Sequence, residues 1–184
     1  MCYRFPMRTL IIYYSKTGNT EKYANEIGSP INATVIPFKK FKKKMIKDFD
    51  TIVFGGRVIG NRIQKLDEFL RFYDDMEGKN IILFSVGMSM VTKDTRLSMI
   101  SSNLLDMYHV RYYQLRGSFD FQKLGPVEKL LFNHSINVMA KDPAVAGQTA
   151  MLEKIKETPI EFYDHEGIAK IVTVLNKLSA IPEA

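Results

Sequence analysis

Residues Leu10 to Ala24, LIIYYSKTGNTEKYA, join an apolar run to six small or polar residues and then to a helical pattern. The order reads as a strand, an anion-binding turn and a helix start. Ser15, Thr17 and Thr20 carry hydroxyls that donate hydrogen bonds. Gly18 permits a backbone conformation that other residues avoid, and the first amides of the new helix point into the turn. A turn of this composition suits a phosphate. It is neither a Walker loop, which needs Gly-Lys-Ser/Thr at a fixed gap from an earlier glycine, nor a dinucleotide fingerprint, which needs three spaced glycines.

The rest of the chain repeats the alternation. Short, nearly continuous apolar runs at Thr9–Tyr14, Thr34–Phe38, Thr51–Gly56, Asn80–Val86 and Val110–Leu115 predict five strands buried on both faces. Helical spacing follows at Leu66, Phe69, Leu70, Tyr73 and Met76, at Leu97, Ile100 and Leu104, and at Ile168, Ile171, Val172, Leu175 and Leu178. Asp164 is the expected N-cap of the last helix, and Asp94 or Thr92 that of the one before it. Such alternation implies an α/β fold with a parallel sheet covered on both faces. At 184 residues the chain fits one domain, with an inserted segment over Phe121–Pro159.

Strand followed by Ser15, Lys16, Thr17, Gly18, Asn19 and Thr20 resembles the signature of the flavodoxin family, whose turn wraps the 5′-phosphate of FMN. The resemblance implies a doubly wound, five-stranded parallel sheet in the order 2-1-3-4-5, with FMN as cofactor. Ligands in such sheets lie beyond the carboxyl ends of the strands where the strand order reverses. Three loops then form one site. The phosphate turn is the first. The second is Phe54–Arg62, with Gly56, Arg57 and Val58 as candidate cofactor-binding residues beside a flat ring. The third is Phe84–Met90, with Ser85, Val86 and Gly87 near the pyrimidine edge. Each glycine is also consistent with an ordinary turn that binds nothing.

Two features depart from the usual flavodoxin pattern. The ring-binding loops offer Val58, Ile59, Met88 and Met90 instead of aromatic side chains, and the net charge is +6 where flavodoxins are strongly acidic. A narrower resemblance accommodates both. Phe84-Ser-Val, Leu115-Arg-Gly-Ser-Phe-Asp-Phe, a helix from about Val127 to Ala140, and Glu161–Lys170 look like the flavodoxin-domain branch that includes menaquinone-dependent protoporphyrinogen IX dehydrogenase. That branch implies oxidation of a porphyrinogen with a quinone as acceptor. Arg57, Arg62 and Arg116 then lie at the ligand edge, where they either pair with propionates or serve as ordinary surface arginines.

On the inserted helix, Val127, Leu130, Leu131 and Val138 share one side with His134, while Phe132, Ile136 and Met139 occupy another. Two apolar sides need two partners, whether sheet, neighbouring protein, a porphyrin or quinone pocket, or lipid. His134 reads either as a proton acceptor or as a surface histidine. Lys141–Gln148 is expected to form a loop that closes over the flavin. Lysines 39, 40, 42, 43, 44 and 47, interleaved with Phe38, Phe41 and Met45, predict an amphipathic crossover helix with a solvated basic face. The same charges suit peripheral contact with anionic phospholipid. Nucleic acid is not expected, because no aromatic platform accompanies them.

Hydrophobic content of 46% with no long apolar stretch, no secretory leader pattern and a single cysteine, Cys2, place the expected location in the cytoplasm, with the inner membrane face as a peripheral site. Three histidines and one cysteine show no metal-ligand spacing, and no nucleophile stands beside a partnered base. Two functions stay open: an FMN-dependent oxidoreductase, and a binding protein of the same fold that lacks flavin chemistry and docks through its basic face and inserted helix.

Overall fold

A computed structural model describes residues 7–141 and 149–180. Cys2 and the expected loop over residues 142–148 lie outside them. Contacts divide the chain into two compact units, one running up to Gly117 and resuming at Asp164, the other Ser118–Tyr163.

The first unit is built on parallel strands β1 (Thr9–Tyr14), β2 (Thr34–Pro37), β3 (Thr51–Ile59), β5 (Asn80–Gly87) and β6 (Arg111–Phe119, whose last two residues belong to the second unit). Their spatial order is β2-β1-β3-β5-β6, the 2-1-3-4-5 order that the resemblance implies. The two-residue strand β4 (Arg62–Ile63) folds back antiparallel on the end of β3. With a short β7 (Ile160–Tyr163) beside the end of β6, it makes seven strands among the described residues where five are expected. Helices α1 (Asn19–Gly28), α2 (Leu66–Leu70), α3 (Lys93–Ser102) and α6 (His165–Ala180) supply the cover.

Period-two alternation explains the burial on both faces of the sheet. Leu10 and Ile12 point into a core with Ile52, Phe54, Leu83, Leu66 and Phe69, while Ile11 is buried on the opposite face. Phe54 and Phe69 stack with centroids 4.6 Å apart, and Phe38 meets Phe54 edge-on at 5.9 Å. On the opposite face Gly55 is required, because a Cβ there would lie 2.0 Å from the ring of Phe84.

Two local expectations need correction. The lysine-rich segment forms two short 3-10 turns, Phe38–Lys40 and Lys43–Asp48, and not an α-helix. Phe41 and Lys42 between them are extended, so Phe38, Phe41 and Met45 all reach the core while the six lysines face solvent. A regular helix would crowd six like charges together and gain no further burial. The second correction concerns the segment after Gly56, which continues as strand through Ile59 and turns at Gly60 and Asn61, both with positive φ.

The caps agree with the sequence. Thr92 and Thr95 form a reciprocal capping box on α3, and Asp164 Oδ1 accepts from Gly167 N at 2.8 Å at the start of α6. Tyr23 of α1 ties these elements together: its hydroxyl donates to the Arg116 carbonyl and accepts from Asp164 N at 2.7 Å.

The second unit holds α4 (Pro126–Met139), α5 (Thr149–Glu157) and β7 (Ile160–Tyr163). Ser118 Oγ accepts from Phe162 N and donates to Phe162 O, both at 3.0 Å. One side of α4 packs inside the unit, with Ile136 buried and Phe132 stacked on Phe119 at 5.2 Å. The other side, Val127, Leu130, Leu131 and Val138, is exposed, and so is His134. The two-sided pattern read from the sequence is thus present.

Candidate functional site

Sequence β1-β2-β3 places β2 on one side of β1 and β3 on the other, so the strand order reverses at β1. The turn Ser15–Gly18 leaves β1 at that point, on the carboxyl end of the sheet. Gly18 sits in the left-handed region at φ 90°, and no side chain caps α1. Its N–H donates to Ser15 Oγ at 3.1 Å, and its carbonyl accepts from Lys22 N at 2.9 Å. Lys16 and Thr17 are exposed, Asn19 half-buried and Thr20 buried. The turn therefore faces solvent at the rim, with one of its amides taken by the turn's own Ser15 Oγ. The amides that begin α1 favour an anion there, through their partial positive charge. Glu21 in the first turn opposes this, and it is held by the Tyr13 hydroxyl at 2.5 Å. Burial, and then the Glu21 carboxylate, push the Tyr13 phenol up to about 12.

The second and third loops come together beside α3. Val58 pairs with Ile63 and Ile59 with Arg62, making a hairpin. That hairpin is clamped by buried Asn103 at the end of α3. Asn103 Oδ1 accepts from Ile63 N, and Nδ2 donates to the carbonyls of Asn61 and Met99, each at 2.8 Å. Arg62 is drawn into the same clamp, donating to the Ser102 carbonyl and to Asp67, the latter at 3.0 Å. It is therefore an anchor of the hairpin.

Between hairpin and α3 lies a cleft of about 80 Å³. Val58 and Asn61 line it from the hairpin, Gly87 and Ser89 from the third loop, and Thr95, Ser98 and Met99 from α3. Ser85 and Gln114, register partners on β5 and β6, line it from the sheet. Ser85 Oγ is bonded to the Tyr112 hydroxyl at 2.7 Å. Burial pushes that phenol up to about 12, against the lowering effects of Ser85 and of Arg96. Gln114 is 9% exposed, and its Oε1 is buried without a hydrogen-bond partner among the described residues.

Of the ring-loop candidates, Val58, Ser85 and Gly87 thus reach the cleft. Gly56 lies inside β3, where a Cβ would meet Ile63 at 2.4 Å, so its missing side chain makes room for the chain's own residue. Val86 is buried against Gly117, and Arg57 does not line the cleft. Met90 is 66% exposed. Gln114 was not among the sequence candidates. Its signal was a lone amide in the apolar run Val110–Leu115, at the same parity as Tyr112.

A family model described as a flavodoxin domain matches residues 10–145. The chain belongs to the flavodoxin-domain family. The match covers all three loops and both strands that floor the cleft. No curated protein sequence matches the chain. Among solved structures, flavodoxin from Streptococcus pneumoniae TIGR4 is similar at 12% identity and TM-score 0.49, over 94% of this chain and 97% of that one. Oxidised flavodoxin 1 from Bacillus cereus is similar at 14% identity and TM-score 0.48, over 96% and 99%. A flavodoxin from the domain Archaea shares 19% identity at TM-score 0.43, over 69% and 95%.

Proposed function

We propose that this flavodoxin-domain protein binds FMN and transfers electrons through it. The observation that carries the reading is the open turn at Ser15–Gly18, with its uncapped helix start, at the point where the strand order reverses. The residues present fit the cofactor: an anion cradle at α1, and an orphaned buried acceptor, Gln114 Oε1, in the cleft beside the other two loops. When bound, FMN supplies the redox chemistry itself. The protein's share is binding and orientation. Ser15 holds the Gly18 amide and so shapes the turn, and the Lys16, Thr17, Asn19 and Thr20 segment offers polar groups to a phosphate. Val58 and Met99 give the otherwise polar cleft an apolar wall on each side.

Titration of the purified protein with FMN, followed by quenching of flavin fluorescence, tests this directly. Saturable quenching at one equivalent is expected. A colourless protein that ignores added FMN defeats the reading and leaves the alternative, a binding protein of the same fold.

A finer proposal rests on the resemblance of Phe84-Ser-Val, Leu115–Phe121 and Glu161–Lys170 to the protoporphyrinogen-oxidising branch. Under it, the electron donor is a porphyrinogen and the acceptor a membrane quinone. Anaerobic turnover of protoporphyrinogen IX with a menaquinone analogue is the assay, and no turnover by FMN-loaded protein removes the proposal. The exposed lysines at 39, 40, 42, 43, 44 and 47 support peripheral contact with anionic phospholipid. Sedimentation with anionic vesicles that salt does not weaken would argue against it.

A further inference from the structure

Gln114 presents a problem that folding alone does not solve. Its side chain is buried on β6, its neighbour Ser85 is already bonded to Tyr112, and Oε1 meets no donor among the described residues. A buried acceptor left in this state is a penalty to folding that a ligand's donor would remove. The residue nevertheless borders the cleft, so a ligand in the cleft is the available source of a donor. That ligand must bring an N–H or O–H and be thin enough to enter between Val58 and Met99. The cleft supplies a complementary donor as well. Ser98 Oγ accepts from Asn61 Nδ2 at 3.1 Å, so its own proton can be given to a ligand carbonyl. An N–H flanked by carbonyls, on a flat ring, satisfies both groups together.

We propose that Gln114 is a positioning residue for the flavin, its Oε1 accepting the hydrogen bond from the imide N3–H while the cleft receives the pyrimidine edge. This rests on the FMN reading above and assigns a specific atom to it. An amide acceptor there rewards a ring with a free N3–H and penalises one without it.

The test compares FMN with N3-methyl FMN by fluorescence quenching, on the natural protein and on Gln114→Met, which keeps the side-chain length and removes the oxygen. The natural protein is expected to prefer FMN by about tenfold or more, and Gln114→Met to lose most of that preference. An unchanged preference in Gln114→Met overturns the proposal while leaving FMN binding intact. Failure of the natural protein to bind either flavin overturns the FMN reading, and this proposal with it. Should Gln114→Met not fold, the natural protein with nitrogen-labelled FMN decides. An N3 proton shifted downfield and protected from exchange supports the bond, and one exchanging as in free FMN refutes it.

Discussion

Single residues set the chemistry of the rim through their backbone freedom or their burial. Gly18 faces open space, with nothing within 4 Å of where a Cβ would stand, yet it holds φ at +90°. Gly18→Ala therefore costs about 1 kcal/mol through strain and not through a clash. Relief of that strain moves the amides that start α1, so FMN is expected to bind several-fold more weakly in a titration while the melting temperature changes little. Tyr112 makes a pH-dependent prediction. Its phenol is raised from 10.0 to about 12 by burial, so the fold favours the neutral form. The associated stability is full below pH 10 and is lost as pH rises toward 12, by up to roughly 2–3 kcal/mol. Tyr112→Phe gives up the Ser85 bond, about 1 kcal/mol at neutral pH, and shows a flatter alkaline limb. Denaturant titrations of both proteins at neutral pH and at about pH 11 measure the difference. An equally steep limb in the variant would place the loss elsewhere.

At the scale of elements, the hairpin β3-β4 and α3 form the pair that shapes the cleft. Asn103 makes two hydrogen bonds across it, to Ile63 N and the Asn61 carbonyl, and a third back to Met99 within α3, from a residue that is 4% exposed. Asn103→Leu leaves Ile63 N–H and the Asn61 carbonyl without that partner, at a cost of about 2–4 kcal/mol. The hairpin is then free to swing from α3, so FMN affinity falls as well. Restoring stability with an osmolyte separates the two effects, because a purely global loss would bring affinity back. The sequence showed the elements but not this clamp. Alternation and spacing placed β3 and α3, whereas Asn103 lies 40 residues from Ile63 and has no local signature. The lysine segment went the other way: Phe38, Phe41 and Met45 stand at helical spacing, yet two 3-10 turns joined by an extended step bring all three against the core.

Across the full chain, the two units are built to different standards. The first has a broad core in which Leu10, Ile12, Ile52, Phe54, Leu66, Phe69 and Leu83 are essentially sealed from solvent. In the helices of the second, Ile136 and Ile155 are buried, while Val127, Leu130, Leu131, Val138 and Met151 are each at least half exposed. Local opening costs less where fewer apolar contacts are broken. Amide exchange in α4 and α5 is therefore expected to be faster, by orders of magnitude, than in α1 or in β1 and β3. Equal protection across both units would mean that the exposed side of α4 is covered in solution. That stripe is legible in the sequence as the second of two apolar sides, and its exposure is visible only in the fold.

What depends on short-range order was already legible in the chain: alternating strands and helices, the glycine-containing turn after β1, the caps Thr92 and Asp164, and the family that these imply. Each follows from a periodicity or a residue type acting within a few positions along the chain. Folding in three dimensions was needed to tell which glycines make room for the chain's own side chains, as Gly55 and Gly56 do for Phe84 and Ile63. It was needed, too, to leave Gln114, inside an apolar strand, without a partner at the edge of a cleft. Those outcomes depend on what distant strands bring alongside, and hydrogen-bond satisfaction and steric room are properties of neighbours in space.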